Sequence, residues 1–125
     1  MDLERMKAFA AEFDPQPFHL DEEAAQASVF KGLAASGWHT ASVAMRLLVE
    51  CMPVAGGLIG FGGELSWPRP TRAGDVLRLE AEVLEVRPSQ SKPQQGVVTI
   101  RNTTRNQHGE TVCVFTAKIL AVRRS

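Results

Sequence analysis

The sequence predicts an α+β fold in which one antiparallel sheet wraps around a long buried helix, and two observations carry that reading. Apolar residues recur at helical spacing through the first half of the chain and at strand spacing through the second. Helices followed by a run of strands give layered α+β packing. The helix from about Gly37 to Met52 is apolar over most of its circumference, through Trp38, Ala41, Val43, Ala44, Met45, Leu47, Leu48, Val49 and Cys51. Such a helix is expected to be buried nearly all round, and a curled sheet is the element that can bury it. With 125 residues, 44% of them hydrophobic, the chain suits one domain over residues 1–125 with a single core.

Each element has its own local signals. Asp2 is placed to cap a first helix carrying Leu3, Met6, Phe9, Ala10 and Phe13 on one face, which Pro15 ends. Asp21 caps a short helix through Ala27 that closes near Gly32. The central helix keeps one polar stripe, His39, Ser42, Arg46 and Glu50, and is stopped by Pro53 and Gly56-Gly57. Strand patterns begin at Leu58. In the next strand Leu77, Leu79, Ala81 and Val83 alternate with charged residues until a change of phase at Leu84 and Val86 marks a bulge. Two further strands, Val97 to Arg105 and Thr111 to Val122, are joined by the hairpin turn Asn106-Gln107-His108-Gly109. Thr71 to Asp75 form another turn, and Pro88 to Gly96 a polar loop.

Composition excludes several function classes. Fourteen cations balance fourteen anions, so no long-range field recruits nucleic acid or an anionic membrane. Ten of the cations are Arg, which favours fork-like contacts to phosphate or carboxylate. Cys51 and Cys113 lack partners at zinc-ligand spacing, so no metal site is expected and both thiols read as buried. The acidic, amphipathic start and the absence of a membrane-length apolar run predict a cytoplasmic protein, and the ending Arg123-Arg124-Ser125 is no targeting address.

The stretch with the most chemical content is Asp14-Pro15-Gln16-Pro17-Phe18-His19. Two prolines stiffen it and steer Asp14 and Gln16 out of helix, so a carboxylate and an imidazole are held in nearly fixed relation. A water between them could be deprotonated for an addition or re-formed in an elimination. Spacing alone favours a plainer reading, a proline-punctuated turn with a capping Asp and a surface His. His39 reads as a packed or water-bonded imidazole and His108 as a solvent-exposed turn residue. Ser36, Ser42 and Ser66 lack a nucleophile-elbow motif. Glu64 and Asp75 are candidates for a thioesterase site but read more simply as strand and turn residues. Phe18, Phe30, Leu33, Trp38 and Met45 are candidates to line an acyl tunnel.

The segments Asp14 to Asp21, Ser36-Gly37-Trp38, and Trp67-Pro68-Arg69-Pro70 through Gly74-Asp75 occur in the order that resembles the MaoC-like dehydratases and (R)-specific enoyl-CoA hydratases. That resemblance implies a hot-dog fold and reversible hydration of an enoyl-CoA to a 3-hydroxyacyl-CoA. Asp14 and His19 would be the catalytic pair and the Gly37 backbone N–H the oxyanion donor, free amides at a helix start being suited to enolate charge. Glycine at 37 would let a ligand approach the backbone closely. Gln16, Phe18, Ser36 and Trp38 are candidate substrate-binding residues. The substrate would bring its own coenzyme A, with no other cofactor, and the protein would be a homodimer or larger homo-oligomer. A hot-dog acyl-CoA thioesterase and a non-catalytic acyl-CoA or protein-binding module are the alternatives.

Three departures from the family pattern stand out. Gln16 replaces the usual Asn, and Ser36 the usual His before the helix glycine. Only thirteen residues precede Asp14. The resemblance therefore implies either a sheet lacking its usual first strand or a gene start placed too late.

Overall fold

The computed structural model describes residues 1–51, 59–89 and 95–122. Four helices, α1 (Leu3–Phe13), α2 (Pro17–Leu20), α3 (Glu22–Gln26) and α4 (Gly37–Cys51), precede four strands, β1 (Ile59–Ser66), β2 (Arg78–Pro88), β3 (Gln95–Arg105) and β4 (Thr111–Val122). The strands form one antiparallel sheet, as expected, and their order is β1-β4-β3-β2. Met52 and the expected helix stop at Pro53 and Gly56-Gly57, the first strand residue Leu58, residues 90–94 of the polar loop and Arg123-Arg124-Ser125 lie outside the described residues.

Local chemistry accounts for the elements. Asp2 has extended backbone but makes no side-chain cap bond, so it contributes charge rather than a hydrogen bond to the start of α1. Pro17 opens α2 at the position where a missing N–H costs nothing. The stiff loop of the sequence reading therefore contains a helical turn, with His19 inside it. Asp21 does cap α3, accepting from Glu23 N at 3.2 Å. The helix is over by Gln26, and Lys31 rather than Gly32 takes the left-handed conformation, with φ 54°. The expected bulge is present, since pairing of β2 with β3 skips Leu84 between Val83 and Glu85. In the β3–β4 hairpin Gly109 has φ 77°, while Asn106 Oδ1 accepts from the amides of His108 and Glu110.

Two apolar clusters hold these layers together. Leu48 of α4 packs on Ile100, Ala117 and Ile119 of the sheet, and Met6, Ala25, Leu33 and Ala35 form a second cluster under the short helices. Full burial of one such aliphatic side chain stabilises by about 1.5–3 kcal/mol. Between the clusters runs a polar seam in which Thr40 Oγ1 donates to Thr71 Oγ1 at 3.1 Å and Ala35 N to Thr71 O at 2.8 Å. The Arg72 guanidinium donates to the carbonyls of Phe30, Gly32 and Leu33, fastening the segment before α4 onto the 71–75 turn.

The central helix departs from expectation. Only Thr40, Ala44 and Leu48 are buried, whereas Trp38, Met45 and Val49 are 60%, 42% and 50% exposed. A four-stranded sheet covers one face of the helix and leaves its flank open. Cys51 is exposed rather than buried, and Cys113 is buried, where burial pushes its thiol pKa up.

Candidate active site

The turn between α1 and α2 and the segment before α4 converge on one carboxylate. Asp14 ends α1, its N–H still bonded to Ala10 O at 2.8 Å, while its side chain reaches the start of α4. Oδ1 accepts from Gln16 Nε2, and Oδ2 accepts from Ser36 Oγ at 2.8 Å. The same Oδ2 lies 3.2 Å from His19 Nε2. His19 is only 5% exposed, against the surface position that spacing alone favoured. It is held edge-on against the Phe18 ring, and α2 aims it inward. The carboxylate and imidazole that the sequence brings within six residues therefore touch.

Hydrogen-bond chemistry fixes one proton of the pair. His19 Nδ1 lies 2.6 Å from Ala34 O, and a carbonyl can only accept, so Nδ1 carries a hydrogen. Nε2 is left facing the carboxylate across their contact. The Asp14 environment favours the ionised carboxylate. Burial alone would raise its pKa, but hydrogen bonds from Gln16 and Ser36, followed by the charge and bond of His19, outweigh it and hold the carboxyl below its usual 3.8.

Next to this pair the backbone of α4 is open. Ser36 stands where a serine side chain commonly caps a helix, but its hydroxyl is turned to Asp14 instead. Among the described residues the N–H groups of Gly37 and Trp38 have no acceptor, while those of His39 and Thr40 bond to Ser36 O. Two free donors and the partial positive charge of a fifteen-residue helix thus lie one residue from the Asp14 contact. The expectation that glycine at 37 makes room for a ligand needs correction. A Cβ there would sit 2.6 Å from Trp67 Cε2, so the space is filled by the indole ring.

The other sequence candidates divide. Gln16 and Ser36 hold Asp14, and Phe18 packs with Phe30 beneath His19 and on the Met6 cluster, so these residues shape the site from behind. Leu33 is core, at 5% exposure. Trp38 stands open against Trp67, with ring centroids 5.5 Å apart. Met45 lines an apolar cavity of about 370 Å³ floored by Gly60, Gly62 and Gly63 of β1. Of the tunnel candidates, Trp38 and Met45 therefore face open space. Asp75 is a buried turn residue, its two oxygens accepting from Arg72 N and Gln107 Nε2, and Glu64 is exposed on β1. His39 stacks on Phe9 at 4.8 Å with its Nδ1 buried and unpartnered, and lines a cavity of about 600 Å³ that contains neither Asp14 nor His19. Sequence reasoning missed Trp67, since a contact thirty residues from Gly37 has no local signature.

Comparison with known proteins places this arrangement. The family model described as MaoC like domain matches residues 1–107. The uncharacterized protein YdeM of Bacillus subtilis (strain 168) is 34% identical over 109 residues, covering 79% of this chain and 70% of its own length. The crystal structure of a MaoC-like dehydratase from Rhodospirillum rubrum is 57% identical and superposes with a TM-score of 0.97, covering all of this chain and 86% of that one. An (R)-hydratase from Pseudomonas aeruginosa is 30% identical with a TM-score of 0.74, covering 99% of this chain and 76% of its own. The sheet and α4 form the hot-dog fold of these structures, and the chain belongs to the MaoC-like dehydratase family.

Proposed function

We propose that this protein reversibly hydrates an enoyl-CoA to a 3-hydroxyacyl-CoA, with Asp14 and His19 as the catalytic pair and the free amides at the start of α4 as the oxyanion site. The observation that carries the reading is the contact of Asp14 Oδ2 with His19 Nε2, 3.2 Å apart and next to unpaired helix N–H groups.

In this reading Asp14 acts as the base and His19 as the proton donor. Water held by Asp14 loses a proton to the carboxylate as its oxygen bonds to C3 of the enoyl group. The double-bond electrons move toward the thioester carbonyl, whose oxygen becomes an enolate met by the Gly37 N–H. His19 Nε2–H then protonates C2, and the proton on Asp14 returns to His19 across their contact. Each positioned proton-transfer group contributes about 10²–10⁴-fold, and one oxyanion donor about 10²–10³-fold. Coenzyme A enters as part of the substrate, and no step requires a metal or redox cofactor.

A homodimer completes the reading. Trp38, Met45 and Val49 stand open on the flank of α4, and Ile59 and Phe61 stand open on the edge strand β1, each more than 40% exposed. A second copy paired along β1 would cover that apolar face and the strand edge together. We place the protein in the cytoplasm as a single domain, on its balanced charge and composition.

A panel of trans-2-enoyl-CoAs, followed at the enoyl absorbance with thiol release read in parallel, tests the function. Loss of absorbance without free thiol is expected. Free thiol with unchanged unsaturation would assign a thioesterase, and binding with neither change a non-catalytic module.

A further inference from the structure

We infer that Trp67 is a positioning residue that locks the Gly37–Trp38 peptide so that the amides at the start of α4 stay aimed at a bound thioester oxygen; the inference rests on the oxyanion role proposed for those amides. Three contacts converge on that peptide. Trp67 Nε1 donates to Gly37 O at 2.8 Å, which fixes the plane of the peptide that also carries the Trp38 N–H. The indole face covers Gly37 so closely that a Cβ would lie 2.6–2.9 Å from Cε2, Cδ2 and Nε1. The Trp38 ring meets the Trp67 ring edge-on, at 79° and 5.5 Å, so the side chain of the second donor residue is braced as well.

The need for such a brace is physical. The usual device for steadying a helix start is a side-chain cap, and here Ser36 has given that hydroxyl to Asp14. A cap on the second amide of the helix would also occupy the Trp38 donor of the proposed oxyanion site. Trp67 reaches the same turn through the carbonyl of Gly37, leaving both amides free. It likewise explains glycine at 37 without a positive φ, since any side chain would collide with the ring. Preorganised donors are effective because they do not reorient as charge develops.

The test uses Trp67→Phe, which keeps a ring over Gly37 and removes the N–H, with Trp67→Ala as a second variant. Crotonyl-CoA hydration gives kcat and KM, and the infrared carbonyl band of bound butyryl-CoA, which cannot be hydrated, reports polarisation of the thioester directly. Trp67→Phe should lower kcat roughly 10–100-fold, the scale of a small misplacement of catalytic groups, with KM nearly unchanged. The butyryl-CoA carbonyl band should move back toward its position in free solution. A merely structural role would lower the melting temperature without moving the band. Wild-type turnover with an unshifted band in Trp67→Phe overturns the inference, as does a wild-type protein that binds butyryl-CoA without polarising its carbonyl. A wild-type protein that polarises the carbonyl through Trp67 yet hydrates nothing would sustain the positioning role and sink the hydratase reading instead.

Discussion

Asp14→Asn isolates charge from shape. In the native site Oδ2 accepts from Ser36 and faces His19, while Oδ1 accepts from Gln16. An asparagine can keep its oxygen toward Ser36 and turn its amide toward Gln16, which is exposed and free to present its own oxygen. The fold should therefore persist. The Ser36 bond at Oδ2 falls from charge-assisted to neutral strength and the His19 contact loses the carboxylate charge, a loss of about 1 kcal/mol each and about 2 kcal/mol together. For a chain of 125 residues that is a drop of roughly 5–10 °C in melting temperature. Hydration should fall far more, by about 10²–10⁴-fold, because Asn cannot take the proton from water. The pH dependence supplies a control. The Asp14 pKa is lowered in the fold, so its stabilisation is full above the ordinary 3.8 and disappears as pH falls through the lowered value. Wild type and variant should thus converge in stability at strongly acid pH. Melting curves and enoyl absorbance on the same preparations decide the matter, and a folded Asp14→Asn protein with normal turnover would remove Asp14 as the base.

Three further outcomes are expected. Burial first, then the charges of the amino terminus and Arg5, hold the His39 pKa below its usual 6.5. Native stability should therefore decline as pH falls below about 6.5, whereas His39→Phe, which preserves stacking on Phe9, should be flat there; parallel slopes in urea titrations would refute this. A thiol reagent should modify the exposed Cys51 in the native protein and Cys113 only after unfolding, which peptide mass analysis would read; equal rates would contradict the burial difference. Sedimentation at micromolar concentration should show a dimer that Met45→Glu dissociates, and a monomeric wild type would leave the open flank of α4 needing a different partner.

Much of the fold was legible because its signals are local. Period-two alternation marked β2, and the break at Leu84 revealed the bulge, since one extra residue reverses every side chain beyond it. Asn106 announced the hairpin through a side chain that can accept from the turn amides, and Gly109 through a left-handed conformation that few other residues adopt. The helix α4 was misjudged for a different reason. Its apolar circumference states only that those residues avoid water, and does not say whether the sheet of the same chain supplies the cover. Thr40, Ala44 and Leu48 are buried, Leu48 against the sheet and Thr40 against the Thr71 turn, and the remaining apolar surface is left to whatever associates with it.

The site divides along the same line between local and distant causes. The prolines at 15 and 17 fix a short path between Asp14 and His19, but spacing alone favours a plain turn there and only the family resemblance singles out the pair; Pro17 starts the helical turn that points His19 inward. Nothing in that path shows Ser36, twenty-two residues away, donating to the same carboxylate. Serine stands here in place of the family's usual histidine. In the structure it makes a contact of its own. A hydroxyl can donate to Asp14 from a fully buried position without adding a second titratable ring beside His19. It thereby keeps the carboxylate ionised and spares the first amides of α4 from capping. This departure from the family pattern therefore serves both halves of the proposed chemistry, the base at Asp14 and the open donors at Gly37 and Trp38.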